Sequence, residues 1–109
     1  MSELHVRHCG PCTGETPRLG GAEIEKLLAE VPGYAPAADG RGIVRSYAFE
    51  NYYQVMAFVN AIAWIAHAED HHPDLEVSYN GVTVRYTTHA TGGLSENDFI
   101  CAAKVNQLL

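Results

Sequence analysis

Apolar residues recur at helical spacing over residues 22–31, where Ile24, Leu27, Leu28 and Val31 share one face and Pro32-Gly33 ends the run. Two short strands are predicted next, at 34–38 and 43–49. The Asp39-Gly40-Arg41-Gly42 between them supplies the glycines that a tight hairpin needs for positive φ. Residues 51–68 form the longest helical stretch. Its apolar side chains (Tyr52, Tyr53, Val55, Met56, Phe58, Val59, Ile62, Trp64, Ile65) occupy more than one face. One face would cover a sheet, and the surplus predicts burial against a second copy of the chain. Pro73 breaks the chain, and strands at 75–79 and 82–89 flank Asn80-Gly81, a strong turn dipeptide. Gly92-Gly93 then leads to Ser95, a good N-cap for a last helix running to Leu109.

The predicted order is therefore α-β-β-α-β-β-α. Both hairpins are local, so the expected fold is α+β, a four-stranded antiparallel sheet with three helices on one face. Residues 1–20, punctuated by Gly10, Pro11, Gly14, Pro17 and Gly20, read as an irregular N-terminal arm before a single domain at 21–109.

Composition narrows the class. A chain of 109 residues that is 47% hydrophobic and 18% charged can bury one core and is neither disordered nor fibrous. Seven Lys+Arg against thirteen Asp+Glu give a net charge of −6, which argues against binding a phosphate backbone, so no nucleic-acid partner is expected. No run of about 18 apolar residues is present. The N-terminal residues Met1-Ser2-Glu3-Leu4-His5 lack a basic-then-apolar signal, so no membrane association and a cytoplasmic location are expected.

Two constellations offer chemistry. Cys9-Gly10-Pro11-Cys12 has the spacing of a thioredoxin-type redox centre, but that mechanism needs a strand before the motif and a helix after it. Only eight residues precede Cys9, and Thr13-Gly14-Glu15-Thr16-Pro17 does not favour a helix. Joining His5 or His8 to Cys9 and Cys12 would make half of a structural zinc site, with no second cysteine pair to complete it. With Cys101 far along the chain, the three cysteines allow at most one bridge, and free thiols are expected of all three. The second constellation is His67, His71, His72 and His89. His67 and His71 would share a helix face if the long helix persisted to Pro73. They could ligate a metal, or act without one, because imidazole both takes and gives protons near neutral pH. Asp98, three residues after Ser95, fits a capping box.

Taken together, His71-His72-Pro73, Tyr79-Asn80-Gly81-Val82, Thr88-His89, Gly93-Leu94 and Asp98-Phe99 resemble the pterin-4a-carbinolamine dehydratases, the bacterial branch especially. In that family a His-His-Pro follows the long helix, a third His lies seventeen residues past the second, and an Asp nine further on. The same intervals separate His72, His89 and Asp98 here. The resemblance is looser in the first half, through Leu27-Leu28, Pro32-Gly33-Tyr34 and Tyr47-Ala48-Phe49.

What the resemblance implies is dehydration of a 4a-hydroxytetrahydropterin to a quinonoid dihydropterin, in tetrahydrobiopterin recycling after an aromatic amino acid hydroxylase. His71, His72 and His89 would be the catalytic acid–base and positioning groups, with no metal and no cofactor. Pro73 and Asp98 would shape the pterin site. His67, where family members often carry a carboxylate, would stand beside it. The family forms dimers and tetramers, so a homodimer or homotetramer is expected. The alternatives are a non-catalytic pterin- or protein-binding module, like the animal members that also serve as dimerisation cofactors of a transcription factor, and a relative acting on another pterin-like substrate.

Overall fold

The first strand to form a full ladder, β2 (Ile43–Ala48), sets the geometry of the molecule by turning Ile43 and Tyr47 inward while Ser46 and Ala48 face solvent. The computed structural model to which it belongs describes residues 3–13, 16 and 18–109. In chain order the elements are α1 (Gly21–Leu28), β1 (Ala35–Pro36), β2, α2 (Tyr52–Glu69), β3 (Asp74–Ser78), β4 (Gly81–Tyr86) and α3 (Glu96–Asn106). The sheet is antiparallel throughout, in the order β1-β2-β4-β3. Alternation sorts its two faces: Val82, Val84 and Tyr86 of β4 join Ile43 and Tyr47 beneath the helices. On the other face Ser46 and Thr83 share a hydrogen bond of 2.9 Å. The expected order and fold class hold.

The two hairpins differ in how closely they follow their sequence signals. In the first, Gly40 takes φ +70, and Gly42 lies so close to β4 that a Cβ there would sit 2.9 Å from the Tyr86 carbonyl oxygen. In the second, Gly81 pairs with Ser78 inside the ladder. The turn is therefore Tyr79-Asn80, and neither residue adopts positive φ.

Asn51 caps α2, its side-chain oxygen accepting the Gln54 amide at 2.9 Å. Only Val55, Phe58 and Ile62 of this helix are buried, against Phe49, Tyr47 and the sheet. Tyr53 is 82% exposed and Trp64 68% exposed, so the surplus apolar face is open in the single chain. At its other end α2 stops at Asp70, which adopts a left-handed conformation (φ 50, ψ 45). The His71 amide then bonds back to the Ala66 carbonyl at 3.2 Å, a Schellman-type closure. His71 thereby leaves the helix surface, and the expectation that it shares a face with His67 fails.

α3 is buried along most of its length, from Asn97 through Ala103 and at Val105, because the N-terminal arm covers its outer side. Leu4, in a short 3-10 turn (Leu4–Val6), inserts into the core. Lys104 Nζ donates to the His5 carbonyl at 2.9 Å, and Arg7 pairs with Glu96. Glu69, with its side chain only 6% exposed, accepts from the Cys9 amide at 2.7 Å and from His8 Nδ1 at 2.9 Å. The partners that dock this irregular arm are distant in the sequence, on α2 and α3. Gly14, Glu15 and Pro17, on which its helix-breaking character was partly read, lie outside the described residues, as do Met1 and Ser2. Among the described residues no helix is long and apolar enough to cross a membrane.

Two expectations test these anchors. Burial pushes the Glu69 carboxyl up, but the Cys9 amide, His8 and Lys104 outweigh it and hold it below its usual value of 4.5. The stabilisation it gives is therefore complete above pH about 4.5 and is lost as pH falls through the lower folded-state value. Glu69→Gln should melt below wild type at pH 7, with the gap narrowing as the pH is lowered beneath 4.5; a gap that does not change with pH would refute the arm's dependence on this charge. Asp70→Gly should leave stability unchanged or raised, whereas Asp70→Val should cost about 1–2 kcal/mol by urea denaturation, since a β-branched residue resists the left-handed region.

Candidate functional site

The end of α2, the loop after β4 and the start of α3 converge on a cavity of about 600 Å³. Its walls are residues 68–72, residues 87–90, Asn97 and, from the arm, residues 9–12. The left-handed turn at Asp70 aims His71 into this space, and the isolated bridge between Thr88 and Gly93 folds the following loop so that His89 sits in a 3-10 turn at its rim.

His71 is the fixed member. Its Nε2 lies 2.6 Å from Asp98 Oδ1, with the two side chains 12% and 0% exposed. Its ring stacks on that of Tyr86, centroids 5.9 Å apart and planes within 8°. Tyr86 is a buried platform whose hydroxyl has no hydrogen-bond partner among the described residues, and burial pushes its phenol far above the usual range. The second Asp98 oxygen, Oδ2, accepts from Thr88 Oγ1 at 2.8 Å and from the Ser95 amide at 3.0 Å. Three donors thus surround a carboxyl with no solvent contact, which makes its burial tolerable. With Asp98 accepting from Nε2–H, the neutral tautomer of His71 carries its lone pair on Nδ1. That nitrogen has no partner among the described residues.

His72 and His89 also line the cavity, both exposed. His72 Nδ1 is 3.3 Å from the Pro73 carbonyl, a long contact that biases its orientation without locking it. The structure therefore brings His71, His72, His89 and Asp98 together. It does not bring His67 or Pro73. His67 stays on the exposed side of α2, its ring centroid 5.4 Å from that of Trp64, because the helix ends before the chain turns inward. Pro73 precedes β3 and meets the site only through its carbonyl. Among the described residues no three His, Cys, Asp or Glu side chains converge to hold a metal ion. His67, His71, His72 and His89 thus assemble no such ligand set.

Other residues of the site escaped sequence reading. Asn97 clasps the arm, donating from Nδ2 to the Gly10 carbonyl at 2.7 Å and accepting the Gly10 amide on Oδ1 at 3.1 Å. Glu69 holds the preceding amide of the arm, that of Cys9. No local pattern marks either residue, since each partner lies at least 60 positions away along the chain. Thr88 stood beside His89 in the matched motif, but its bond to Asp98 is a tertiary fact.

Comparison with known proteins bears on this arrangement. A family sequence model described as "Pterin 4 alpha carbinolamine dehydratase" matches residues 17–108. A protein of Xanthomonas campestris pv. campestris, provisionally named a pterin-4-alpha-carbinolamine dehydratase, is 58% identical over 105 residues, covering 96% of this chain and 89% of its own. One of Nitrosomonas eutropha with the same provisional name is 58% identical over 109 residues, covering 100% of this chain and 96% of its own. Among solved structures, the transcriptional coactivator/pterin dehydratase of Brucella melitensis superposes with a TM-score of 0.79 at 34% identity, over 84% of this chain and 97% of that one. A pterin dehydratase-like protein identified as a RuBisCO assembly factor in the alpha-carboxysome shares the fold (TM-score 0.62) at 21% identity, over 72% of this chain and 92% of that one. The match to the family model over most of the chain, the two close relatives and the shared fold lead to one conclusion: the chain belongs to the pterin-4a-carbinolamine dehydratase family.

Proposed function

We propose that the chain dehydrates a 4a-hydroxytetrahydropterin to the quinonoid dihydropterin by histidine acid–base catalysis, as the recycling step after an aromatic amino acid hydroxylase. The observation that carries this reading is the buried His71–Asp98 pair in the wall of a cavity that His72 and His89 also line. The reaction removes a hydroxyl from a saturated ring carbon and a proton from a ring nitrogen, so it needs a donor on one atom and an acceptor on another. His71, with Nε2–H engaged by Asp98, suits the acceptor: its Nδ1 lone pair takes the ring N–H proton, and Asp98 stabilises the imidazolium that results. His72, free to turn at the cavity rim, delivers a proton to the departing hydroxyl. His89, from the loop after β4, positions the ring. Asp98 acts through His71, and Tyr86 keeps that imidazole in plane.

Self-association is part of the same proposal. Tyr53 and Trp64 stand about three turns apart on the open side of α2, where a second α2 would cover them, giving a homodimer or homotetramer.

With 4a-hydroxytetrahydropterin generated in situ by a hydroxylase, wild type should speed the appearance of quinonoid product above the uncatalysed rate. His72→Ala should lower turnover by roughly a hundredfold or more, the usual weight of general acid–base help. A wild-type rate equal to the blank would move the function to a non-catalytic binding module or to another pterin-like substrate. An unimpaired His72→Ala would remove that residue from the mechanism. Light scattering at micromolar concentration should give a mass of at least twice 11.9 kDa, and a monomeric mass would refute the assembly.

A further inference from the structure

Three thiols surround the point where the arm meets α3, and they are not equivalent. Cys9 Sγ lies 3.4 Å from Cys101 Sγ, although 92 positions separate the two in the chain. Cys12, which the Cys-Gly-Pro-Cys motif would pair with Cys9, is occupied elsewhere. Its sulfur accepts from Asn97 Nδ2 at 3.2 Å and lies 3.7 Å from Ser95 Oγ. The backbone carrying Cys9 is held on both sides, by Glu69 at the Cys9 amide and by the Asn97 clasp on Gly10. Cys9 is half-buried and lines the cavity, so a small reagent can reach it, whereas Cys101 is fully buried. Closing the sulfurs to the ~2.05 Å of a disulfide takes about 1.4 Å of movement.

We propose that Cys9 and Cys101, not Cys9 and Cys12, form a reversible disulfide when the protein meets a hydroperoxide, fastening the arm to α3 at the cavity wall. The site is an oxidative modification site and is independent of the dehydratase reading.

The chemistry balances over two electrons. Cys9, deprotonated to solvent, attacks one peroxide oxygen; the O–O bond breaks and the sulfur becomes a sulfenic acid while hydroxide, then water, departs. Cys101 attacks the Cys9 sulfur, the S–O bond breaks, and the Cys101 proton leaves with the hydroxyl as a second water. Two sulfurs are each oxidised by one electron and one hydrogen peroxide is reduced to two waters. The order of attack follows from the setting: the hydrogen bond with Cys9, together with burial, pushes the Cys101 thiol far up, so it serves as the resolving sulfur.

The test treats the full-length reduced protein with hydrogen peroxide, blocks remaining thiols with iodoacetamide, and maps tryptic peptides by mass spectrometry. Free thiols should fall from three to one, and peptide 8–18 should appear joined to peptide 86–104, with dithiothreitol releasing both. Cys12→Ser should keep the cross-link and Cys9→Ser should abolish it. The oxidised protein should melt at least about 5 °C higher, because the bond closes a long loop. A bond internal to peptide 8–18, a cross-link between two chains, or three thiols surviving peroxide would each overturn the pairing. A cross-linked protein melting below the reduced one would overturn the claim that the native geometry accommodates it. Cys12→Ser keeps the test decisive even if Cys9→Ser fails to fold.

Discussion

Asp98 is asked to do two jobs with one carboxyl group, and both depend on its complete burial. Oδ2 takes the Ser95 amide and the Thr88 hydroxyl, which starts α3 and ties it to the loop after β4. Oδ1 takes His71, which fastens the end of α2 to the same point. A buried carboxyl with fewer than these donors would be costly to the fold, so the three elements that frame the cavity are drawn together by the need to satisfy one side chain. The sheet supplies the rigid backing: Tyr86, at the end of β4, presents the flat surface on which His71 rests.

The fold was largely legible in the sequence because its signals are local. Period-two alternation in 81–86, the helical run through Val55, Phe58 and Ile62, and the stops at Pro32-Gly33 and Pro73 each report on neighbours only a few residues away. Where the sequence misled, a tertiary preference won. Asn80-Gly81 offers a left-handed turn, yet the register Val77↔Val82 puts Gly81 into the ladder and closes the hairpin with ordinary backbone. The histidines were legible as a set but not as a geometry. Whether His67 or Asp98 stands behind His71 turns on one residue, Asp70, whose left-handed φ ends the helix a turn before Pro73.

α2 shows how one sequence can serve two surfaces. Val55, Phe58 and Ile62 are buried, Met56, Val59 and Ile65 pack half-buried beside them, and Tyr53 and Trp64 are not recruited by the chain's own core. Trp64 and Tyr53 stand in water at a hydrophobic cost, and His67, beside Trp64, takes its environment from that same outer face.

The arm belongs to a different level of organisation. The family model begins at residue 17, whereas the wall made by residues 9–12 lies before it. That wall is attached through side chains on α2 and α3, Glu69 and Asn97, and through the contact of Cys12 with Ser95 at the start of α3. It is therefore added to a sheet already closed by its own ladder, while Cys12 reaches Ser95, a member of the network around Asp98. A cavity built in this way draws part of its wall from outside the stretch that defines the family, so relatives that differ in this leading segment can differ in the shape of the space without differing in the sheet beneath it.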